Sequence, residues 1–355
     1  MAIPSFLQDL LIATGPSGYE TPAAEVWRES ARSFSDDVAW DTVGSSVARV
    51  PATGGADGAA LMGLVGHIDE IGLVIKHITD EGVLRFGTIG GWDPQILVGQ
   101  RVTVQTANGP VAGVVGRKPI HLLDEDDRKQ VAKFEQMYID IGAASRDDAA
   151  RLVSLGDPGV IAAQPIELAN GRIASKAMDN RLGAYIVLEA ARRVAAEGGA
   201  RWRVASVAAA QEETTFAGAR TTAFALDLQA CIVVDVTFAS DIPDSDVAKA
   251  GEAKLGHGVQ ISRGANLHPR MTQLLIETAE AESIPYAIAV PGRNSGTDAD
   301  AIHFARAGVP CGLVSVPLRY MHSPVETVQL ADVEHAIELL AATCMRLDPG
   351  EDFRR

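Results

Sequence analysis

The chain contains 355 residues, with 31 Lys or Arg and 46 Asp or Glu, so its formal net charge at pH 7 is −15. At roughly 150 residues per domain, this length predicts two or three domains and excludes a small scaffold held together by disulfides. The acidic composition excludes the basic surface that nucleic acids and anionic lipids require. We therefore expect neither a nucleic-acid partner nor a membrane partner.

The N-terminal segment and the cysteines predict a cytoplasmic protein. The first basic residue is Arg28, so the segment lacks the charged region of a secretory signal. No uninterrupted run of about 18 apolar residues occurs. Cys231, Cys311 and Cys344 lie far apart without a C-x-x-C pair, and we interpret them as small buried hydrophobic residues.

The first 66 residues combine helical and strand patterns. Residues 6–13 and 21–33 have helical periodicity, and the apolar run at 60–65 predicts a buried strand. From about residue 71 to 160, β-branched runs such as GLVIKHI and RVTVQT are separated by turns at spacings of roughly ten residues. This pattern is typical of an antiparallel barrel or sandwich.

From about residue 173, helical patterns alternate with apolar strand-like runs. The helical patterns cover residues 179–196, 269–283, 298–307 and 330–346, and the strand-like runs cover residues 204–210, 230–236, 286–290 and 312–316. Such alternation predicts a mixed, largely parallel sheet flanked by helices. We predict one α/β domain, residues 1–69 and 165–355, that is interrupted by an inserted β domain at residues 70–164.

Acidic residues and histidines follow several apolar runs, where the C-terminal ends of strands form the ligand crevice of α/β proteins. In the segment GHIDE, residues two apart face the same side, so His67 would bind a metal ion and Asp69 would orient its imidazole. The alternative is the end of a surface loop. Asp179 precedes a long helical pattern, where it is either a ligand or a helix N-cap.

Two adjacent glutamates, Glu212 and Glu213, follow the strand-like run that ends at residue 210. Neighbouring residues of a strand point to opposite sides, so one carboxylate would bind metal while the other acts as a base. Ordinary exposed charge is the alternative. Asp235 lies inside a buried run and needs a cation, an arginine or hydrogen-bond donors. His322 follows the run at 312–316 and is either a ligand or a core histidine.

Together the candidate ligands are two histidines, two aspartates and one glutamate, with a second glutamate to spare. Mixed imidazole and carboxylate ligands favour Zn²⁺ or Co²⁺ over Ca²⁺ or Mg²⁺, and Mn²⁺ is a further alternative. Two ions that share one carboxylate would use all of these ligands. The sequence therefore predicts a dinuclear hydrolase site.

Several segments resemble the tetrahedral (TET) aminopeptidases, dinuclear metallo-aminopeptidases related to glutamyl and deblocking aminopeptidases. They are GHIDEIGLVI, KAMDNRLGAY, QEETTFAGAR, VVDVTFASD, SGTDADAIHFARAGVP and RYMHSPVE. The similarity runs from GPSGYE through KPIHLLDEDDRK and MYIDIGA to the final helix. The resemblance implies an aminopeptidase that acts on peptides, with a catalytic α/β domain and an inserted β-barrel domain that forms dimer contacts. It also implies a homo-oligomer in which dimers assemble into a dodecamer.

The resemblance assigns two metal ions per subunit to five ligands. His67 and Asp235 would bind one ion. Glu213 and His322 would bind the other. Asp179 would bridge the two ions.

Two further residues receive roles from the resemblance. Glu212 would be the general base and acid, and Asp69 would be the partner of His67. The peptide bond between Asp179 and Asn180 would be cis, as is common in this family. Water activated by both ions would then attack the scissile carbonyl group after Glu212 takes its proton.

Two segments need a separate interpretation. The segment DTVGS at residues 41–45 stands where the family usually has Asp-x-x-Gly-Asn, and we expect it to lie away from the ligands. In the segment GTD, Thr297 or Asp298 would cap a helix, with a wall of a specificity pocket as the alternative.

Two other functions compete with the peptidase. Some relatives are named endoglucanase, but a glycoside hydrolase uses two carboxylic acids and leaves both histidines without a role. The other is a non-catalytic peptide-binding scaffold, which would have no need to keep the complete set of ligands and a base.

Overall fold

The computed structural model describes residues 2–55 and 58–354 of the chain. The helices within these residues are α1 (Ser5–Ile12), α2 (Thr21–Arg32), α3 (Pro94–Leu97), α4 (Glu125–Arg128), α5 (Arg146–Leu152), α6 (Met178–Ala196), α7 (Glu212–Thr215), α8 (Ala217–Leu226), α9 (Val247–Ala250), α10 (Pro269–Ala281), α11 (Ala299–Ile302) and α12 (Leu330–Arg346). Four short 3₁₀ turns lie at Thr53–Gly55, Ile120–Leu122, Phe134–Gln136 and Ala169–Gly171.

The strands of the same residues form one large sheet, one barrel and one small sheet. They are β1 (Val38–Trp40), β2 (Ser46–Val50), β3 (Leu61–His67), β4 (Gly72–Ile78), β5 (Leu84–Ile89), β6 (Arg101–Thr106), β7 (Gly109–Arg117), β8 (Met137–Asp140), β9 (Pro158–Ile161), β10 (Ile166–Leu168), β11 (Arg172–Ser175), β12 (Arg203–Ala209), β13 (Ala230–Phe238), β14 (Val259–Ser262), β15 (Tyr286–Ala289), β16 (Cys311–Leu318) and β17 (Glu326–Gln329).

The large sheet has the strand order β1-β2-β12-β3-β13-β16-β14-β15. Its centre is parallel, because β3 pairs in parallel with β12 and β13, and β13 pairs in parallel with β16. Antiparallel pairs occur where β2 meets β1 and β12 and where β14 meets β16. Every residue of β3 is buried, as expected for a central strand covered on both faces.

Helices cover both faces of this sheet and produce two hydrophobic cores. The larger core includes apolar residues of α1, α2, α6, α10 and α12, and the smaller one includes residues of α8 and α11. The mixed, largely parallel sheet flanked by helices is therefore confirmed. None of the described helices is long and apolar enough to cross a membrane.

The inserted part is a closed antiparallel barrel with the strand order β4-β5-β8-β7-β6-β9. It has its own core, which includes Leu73, Val104 and Ile139. The chain enters the barrel shortly after β3 and leaves it before β10, so the barrel interrupts the α/β part as predicted. Strand β11 then pairs with β10 and with β17 in the small sheet.

Several elements differ from the sequence expectations. The helix predicted at 298–307 is only the four residues of α11, because the apolar residues of the segment do not share one buried face: Ile302 is buried, whereas Phe304 is 58% exposed. Outside the barrel, six strands were not predicted: β1, β2, β10, β11, β14 and β17. The three cysteines are buried, and all are free thiols.

Candidate metal centre

The C-terminal ends of the central strands bring the candidate residues to one edge of the sheet. His67 is the last residue of β3, and Asp235 lies near the end of the adjacent β13. Glu212 and Glu213 begin α7, just after β12 on the other side of β3. Neighbouring parallel strands end side by side, so residues far apart in the chain converge there.

Asp179 reaches this edge because the start of α6 is anchored to the sheet. The side chain of Asn180 donates a hydrogen bond to the carbonyl of Val234 at 2.8 Å and accepts one from the N–H of Gly183 at 2.8 Å. The bond between Asp179 and Asn180 is a cis peptide, as the resemblance implies. A Cβ on Gly66 would lie 2.4 Å from the backbone of Gly183, so only glycine allows β3 and α6 to approach this closely.

His67 faces three carboxylates with its Nε2 atom. This atom lies 3.2 Å from Asp179 Oδ1, 3.7 Å from Glu212 Oε2 and 4.0 Å from Asp235 Oδ1. On the opposite side of the ring, Nδ1 lies 3.3 Å from Asp69 Oδ1. All five side chains are at most 9% exposed.

His322 forms a second group around the other oxygen of Asp179. Its Nε2 lies 3.4 Å from Asp179 Oδ2 and 3.1 Å from Glu213 Oε1. Its Nδ1 lies 2.7 Å from the carbonyl oxygen of Gly91, which belongs to the barrel. Because a carbonyl only accepts hydrogen bonds, Nδ1 is the nitrogen that carries the proton in the neutral ring, and Nε2 is the nitrogen that could bind a cation once it has released its own proton.

Two sets of possible ligand atoms therefore lie next to each other. Within each set, one atom per residue falls within 4.8 Å of the others: His67, Glu212 and Asp235 form one set, and Asp179, Glu213 and His322 form the second. The two oxygens of Asp179 face the two histidines, so the sets are continuous. The structure brings all the sequence-predicted site residues together.

Asp69 supports this group through the backbone. Its two oxygens accept hydrogen bonds from the N–H groups of Glu212 and Glu213, each at 3.1 Å. One fully buried carboxylate thus contacts His67 and the segment with both glutamates.

Burial and neighbouring charges change the ionisation of these residues. Burial is the main reason that the pKa of Glu212 rises from 4.5 to about 10, although His67 opposes it. Burial also raises the pKa of Asp235 well above its ordinary value. Burial lowers the pKa of His67, but the charges of Glu212 and Asp179 outweigh this effect and raise it. The pKa of His322 rises to about 11, because Asp179 and Glu213 outweigh its burial.

The donor set fits divalent cations. Within the described residues, no lysine or arginine forms an ion pair with Asp179, Glu212, Glu213 or Asp235, and only the two histidines do. Crowded buried carboxylates repel one another, and a bound cation removes this repulsion. Imidazole nitrogens and carboxylate oxygens are suitable ligands for Zn²⁺, Co²⁺ or Mn²⁺.

A cavity of about 510 Å³ lies beside this group. Its lining includes Val236 and Thr237, which follow Asp235, and Ser315, which pairs with Asp235 across the strands. Thr297 also lines the cavity, and its hydroxyl accepts a hydrogen bond from the N–H of Ala299 at 3.2 Å. The threonine of the GTD segment therefore accepts a hydrogen bond at the start of α11 and also lines the cavity.

Three other acidic or polar residues lie near the group but were not predicted from the sequence to belong to it. Asp298 is buried, does not cap α11, and has no hydrogen bond to either carboxylate oxygen. Glu326 accepts hydrogen bonds from the segments that carry Asp179 and His322. Ser45 accepts a hydrogen bond from the N–H of Ala210 at 3.2 Å, so the DTVGS segment lies closer to the site than we expected.

Comparisons with known proteins agree with this fold. The family model described as M42 glutamyl aminopeptidase matches residues 45–339. The chain is 32% identical to the lysyl aminopeptidase of Pyrococcus furiosus over 346 residues, which cover 97% of each protein. It is 29% identical to the glutamyl aminopeptidase of Lactococcus lactis, over 94% of this chain and 93% of the relative.

Solved structures show the same architecture. The TET aminopeptidase of the Thaumarchaeota archaeon SCGC AB-539-E09 is 34% identical, with a TM-score of 0.91 over 97% of this chain and 96% of that chain. The TET1 peptidase of Pyrococcus horikoshii, which can assemble into a tetrahedron or a large octahedral shell, is 31% identical, with a TM-score of 0.85 over 97% and 99%.

The fold and the residues at its sheet edge define a peptidase of the metal-dependent class. The chain belongs to the M42 family of aminopeptidases. It is a hydrolase that acts on peptide bonds, which confirms the resemblance and the enzyme class inferred from the sequence.

Proposed function

We propose that the protein removes N-terminal residues from peptides at a dinuclear metal centre. The ligands are His67, Asp179, Glu213, Asp235 and His322. The observation that carries this proposal is the position of Asp179, whose two oxygens lie 3.2 Å and 3.4 Å from the Nε2 atoms of two histidines. A carboxylate placed in this way suits a bridge between two ions.

These residues would hold divalent ions, most suitably Zn²⁺ or Co²⁺ and alternatively Mn²⁺, and such ions would supply a lowered pKa for bound water and a polarised carbonyl group. Glu212 acts as the general base and then the general acid. Its carboxylate lies beside the ligands and would take a proton from water and return it to the leaving amine. Asp69 positions Glu212 by accepting a hydrogen bond from its backbone N–H.

The substitution Glu212→Gln tests this mechanism. It keeps the shape of the side chain but removes its proton acceptor, so we expect a loss of roughly 10²–10⁴-fold in kcat on aminoacyl anilides. Metal content, measured by mass spectrometry, should stay at two ions per subunit. The control variant Glu213→Gln alters a ligand and should lower the metal content. Wild-type turnover by Glu212→Gln would show that another group is the base.

A glycoside hydrolase is the alternative that the names of some structures suggest. A Thermotoga maritima protein named endoglucanase is 27% identical to this chain, with a TM-score of 0.76. The two histidines that face Asp179 support the peptidase instead. Hydrolysis of carboxymethylcellulose by metal-free protein would favour the glycosidase, and binding of peptides without cleavage at any metal loading would favour a scaffold.

We also propose that the inserted domain, residues 70–164, forms dimer contacts and that the dimers assemble into a dodecamer. The support is the similarity to the TET1 peptidase, for which a dodecamer has been solved. The chain of that dodecamer is 30% identical to this chain, with a TM-score of 0.85. Light scattering should give a mass of twelve times the chain mass of 37.4 kDa. A monomeric mass would contradict the proposal.

A further inference from the structure

Glu326 is a buried carboxylate with three backbone donors. Its Oε2 atom accepts hydrogen bonds from the N–H groups of Met178 at 2.7 Å and Asp179 at 3.2 Å. Its Oε1 atom accepts one from the N–H of His322 at 2.8 Å. The residue is 2% exposed. Both of its oxygens are therefore used, and all three donors belong to the backbone.

The three donors come from two segments that each carry a proposed metal ligand. One segment leads into α6 and contains Asp179, and the other follows β16 and contains His322. The segments are more than 140 residues apart in the chain. Glu326 reaches both because it begins β17, where it pairs with Ser175 of β11, just before the first segment.

Burying a carboxylate costs free energy, so a carboxylate that joins two loops is expected only where both of its oxygens are needed as acceptors. No lysine or arginine among the described residues forms an ion pair with Glu326, so the backbone N–H groups of the two segments are its partners. Three N–H donors on its two oxygens fix the orientation of the Glu326 side chain. A glutamine at this position would have one acceptor oxygen and one NH2 donor group. The NH2 group would then face a backbone N–H that needs an acceptor.

The structure contains a matched residue without ligands nearby. Asp332 is also fully buried, and its two oxygens accept hydrogen bonds from the N–H groups of Gly256 at 2.6 Å and Gly258 at 2.9 Å. Neither glycine is adjacent to a proposed ligand. Asp332 therefore stabilises a loop by the same chemistry, and a comparison with Glu326 separates a general stabilising role from a role at the centre.

We propose that Glu326 is a positioning residue that holds Asp179 and His322 at the spacing needed to bind one shared metal ion. This inference rests on the proposed dinuclear function. Glu326 does not touch substrate or ion itself. It acts through the backbone of the two segments, as Asp69 does for Glu212 and Glu213 on the other side of the centre.

The test is metal binding by Glu326→Gln, with Asp332→Asn as the control. We expect the metal-free Glu326→Gln protein, titrated with Zn²⁺ or Co²⁺ in a calorimeter, to bind the weaker ion with a Kd roughly 10–100-fold higher than wild type. Its kcat should fall at low metal concentration and recover when excess metal is added, with little change in KM. Asp332→Asn should melt at a lower temperature while it keeps the wild-type metal affinity.

Glu326→Asp is a second variant, which keeps the charge but shortens the side chain, and it should weaken metal binding to an intermediate extent. Wild-type affinity in Glu326→Gln, or an equal loss in Asp332→Asn, would overturn the proposal. So would misfolding of both Glu326 variants while Asp332→Asn folds, because Glu326 would then be needed for folding. If wild-type protein binds fewer than two ions, the dinuclear function fails, and this result is distinct from the others.

Discussion

The buried carboxylate of Glu70 lies between two cations, and its removal should destabilise the protein strongly. Glu70 Oε2 is 2.8 Å from Lys176 Nζ, and Glu70 Oε1 is 2.8 Å from Arg181 Nη2. The three side chains are at most 6% exposed. Glu70→Gln would leave two positive charges buried side by side without their counter-ion.

Breaking a buried ion pair by removing one partner costs about 3–5 kcal/mol, because the remaining charge stays desolvated. Lys176 limits this cost. Burial lowers the pKa of Lys176; the charge of Glu70 opposes this shift, and the smaller effect of the charge of Arg181 adds to it. Without Glu70, Lys176 loses its proton more easily, so we expect a loss near the lower end of this range, about 3 kcal/mol.

The assay is urea unfolding of both proteins at equal concentration, which keeps any effect of assembly the same. Asp80→Asn is the control, because Asp80 pairs with Arg146 at 2.9 Å on the surface, where the side chains are 87% and 48% exposed. Such an exposed pair contributes about 0–1 kcal/mol. A loss in Glu70→Gln no larger than in Asp80→Asn would refute the reasoning. The double variant Glu70→Gln/Lys176→Met should be more stable than Glu70→Gln.

Three further predictions concern metal, pH and substrate. Chelation should abolish peptidase activity and lower the melting temperature, and added Zn²⁺ or Co²⁺ should restore both; unchanged melting would contradict a bound ion. Burial, and next the charge of Asp69, raise the pKa of Glu20 from 4.5 to about 7. Since the folded state favours the protonated form of Glu20, the free energy of unfolding of the wild type should fall as the pH rises from about 4.5 to 7. Glu20→Gln cannot ionise, so urea unfolding should show that it gains stability relative to wild type between pH 5 and pH 8. The described side chains that line the 510 Å³ cavity, such as Val236 and Leu313, are uncharged, so anilides of neutral residues should have a higher kcat/KM than those of Glu or Lys.

Sequence periodicity correctly predicted the helices and strands in which buried residues recur at the regular spacing of the element. The helix expected at 330–346 is α12 (Leu330–Arg346), and the run GLVIKHI is β4 (Gly72–Ile78). The helix expected at 298–307 failed because its apolar residues do not share a buried face. Phe304 in that segment is 58% exposed. Strand β1 was missed because it has three residues, of which Trp40 is 61% exposed, and its pairing with β2 decides its conformation.

Most candidate ligands could be found in the sequence because they are polar residues in or after apolar runs, whereas Asp179 precedes a helical pattern and received its role from the resemblance. Asp235 inside a buried strand is an example of this signal. Glu326 left no such signal, because its partners are backbone N–H groups that any residue provides. One of them, at Met178, is 148 positions away in the chain. The pairing of β11 with β17 brings Glu326 next to the N–H groups of Met178 and Asp179.

The contact between Gly91 and His322 limits how independently the two parts of the molecule can change. The carbonyl of Gly91 fixes which nitrogen of His322 carries the proton, so the insertion decides the tautomer of a histidine in the other part. A chimera that carries the barrel of a relative would therefore keep this tautomer of His322 only if the new barrel placed a carbonyl oxygen at the same position. The insertion is a separate segment of the sequence, but the chemistry of His322 depends on it.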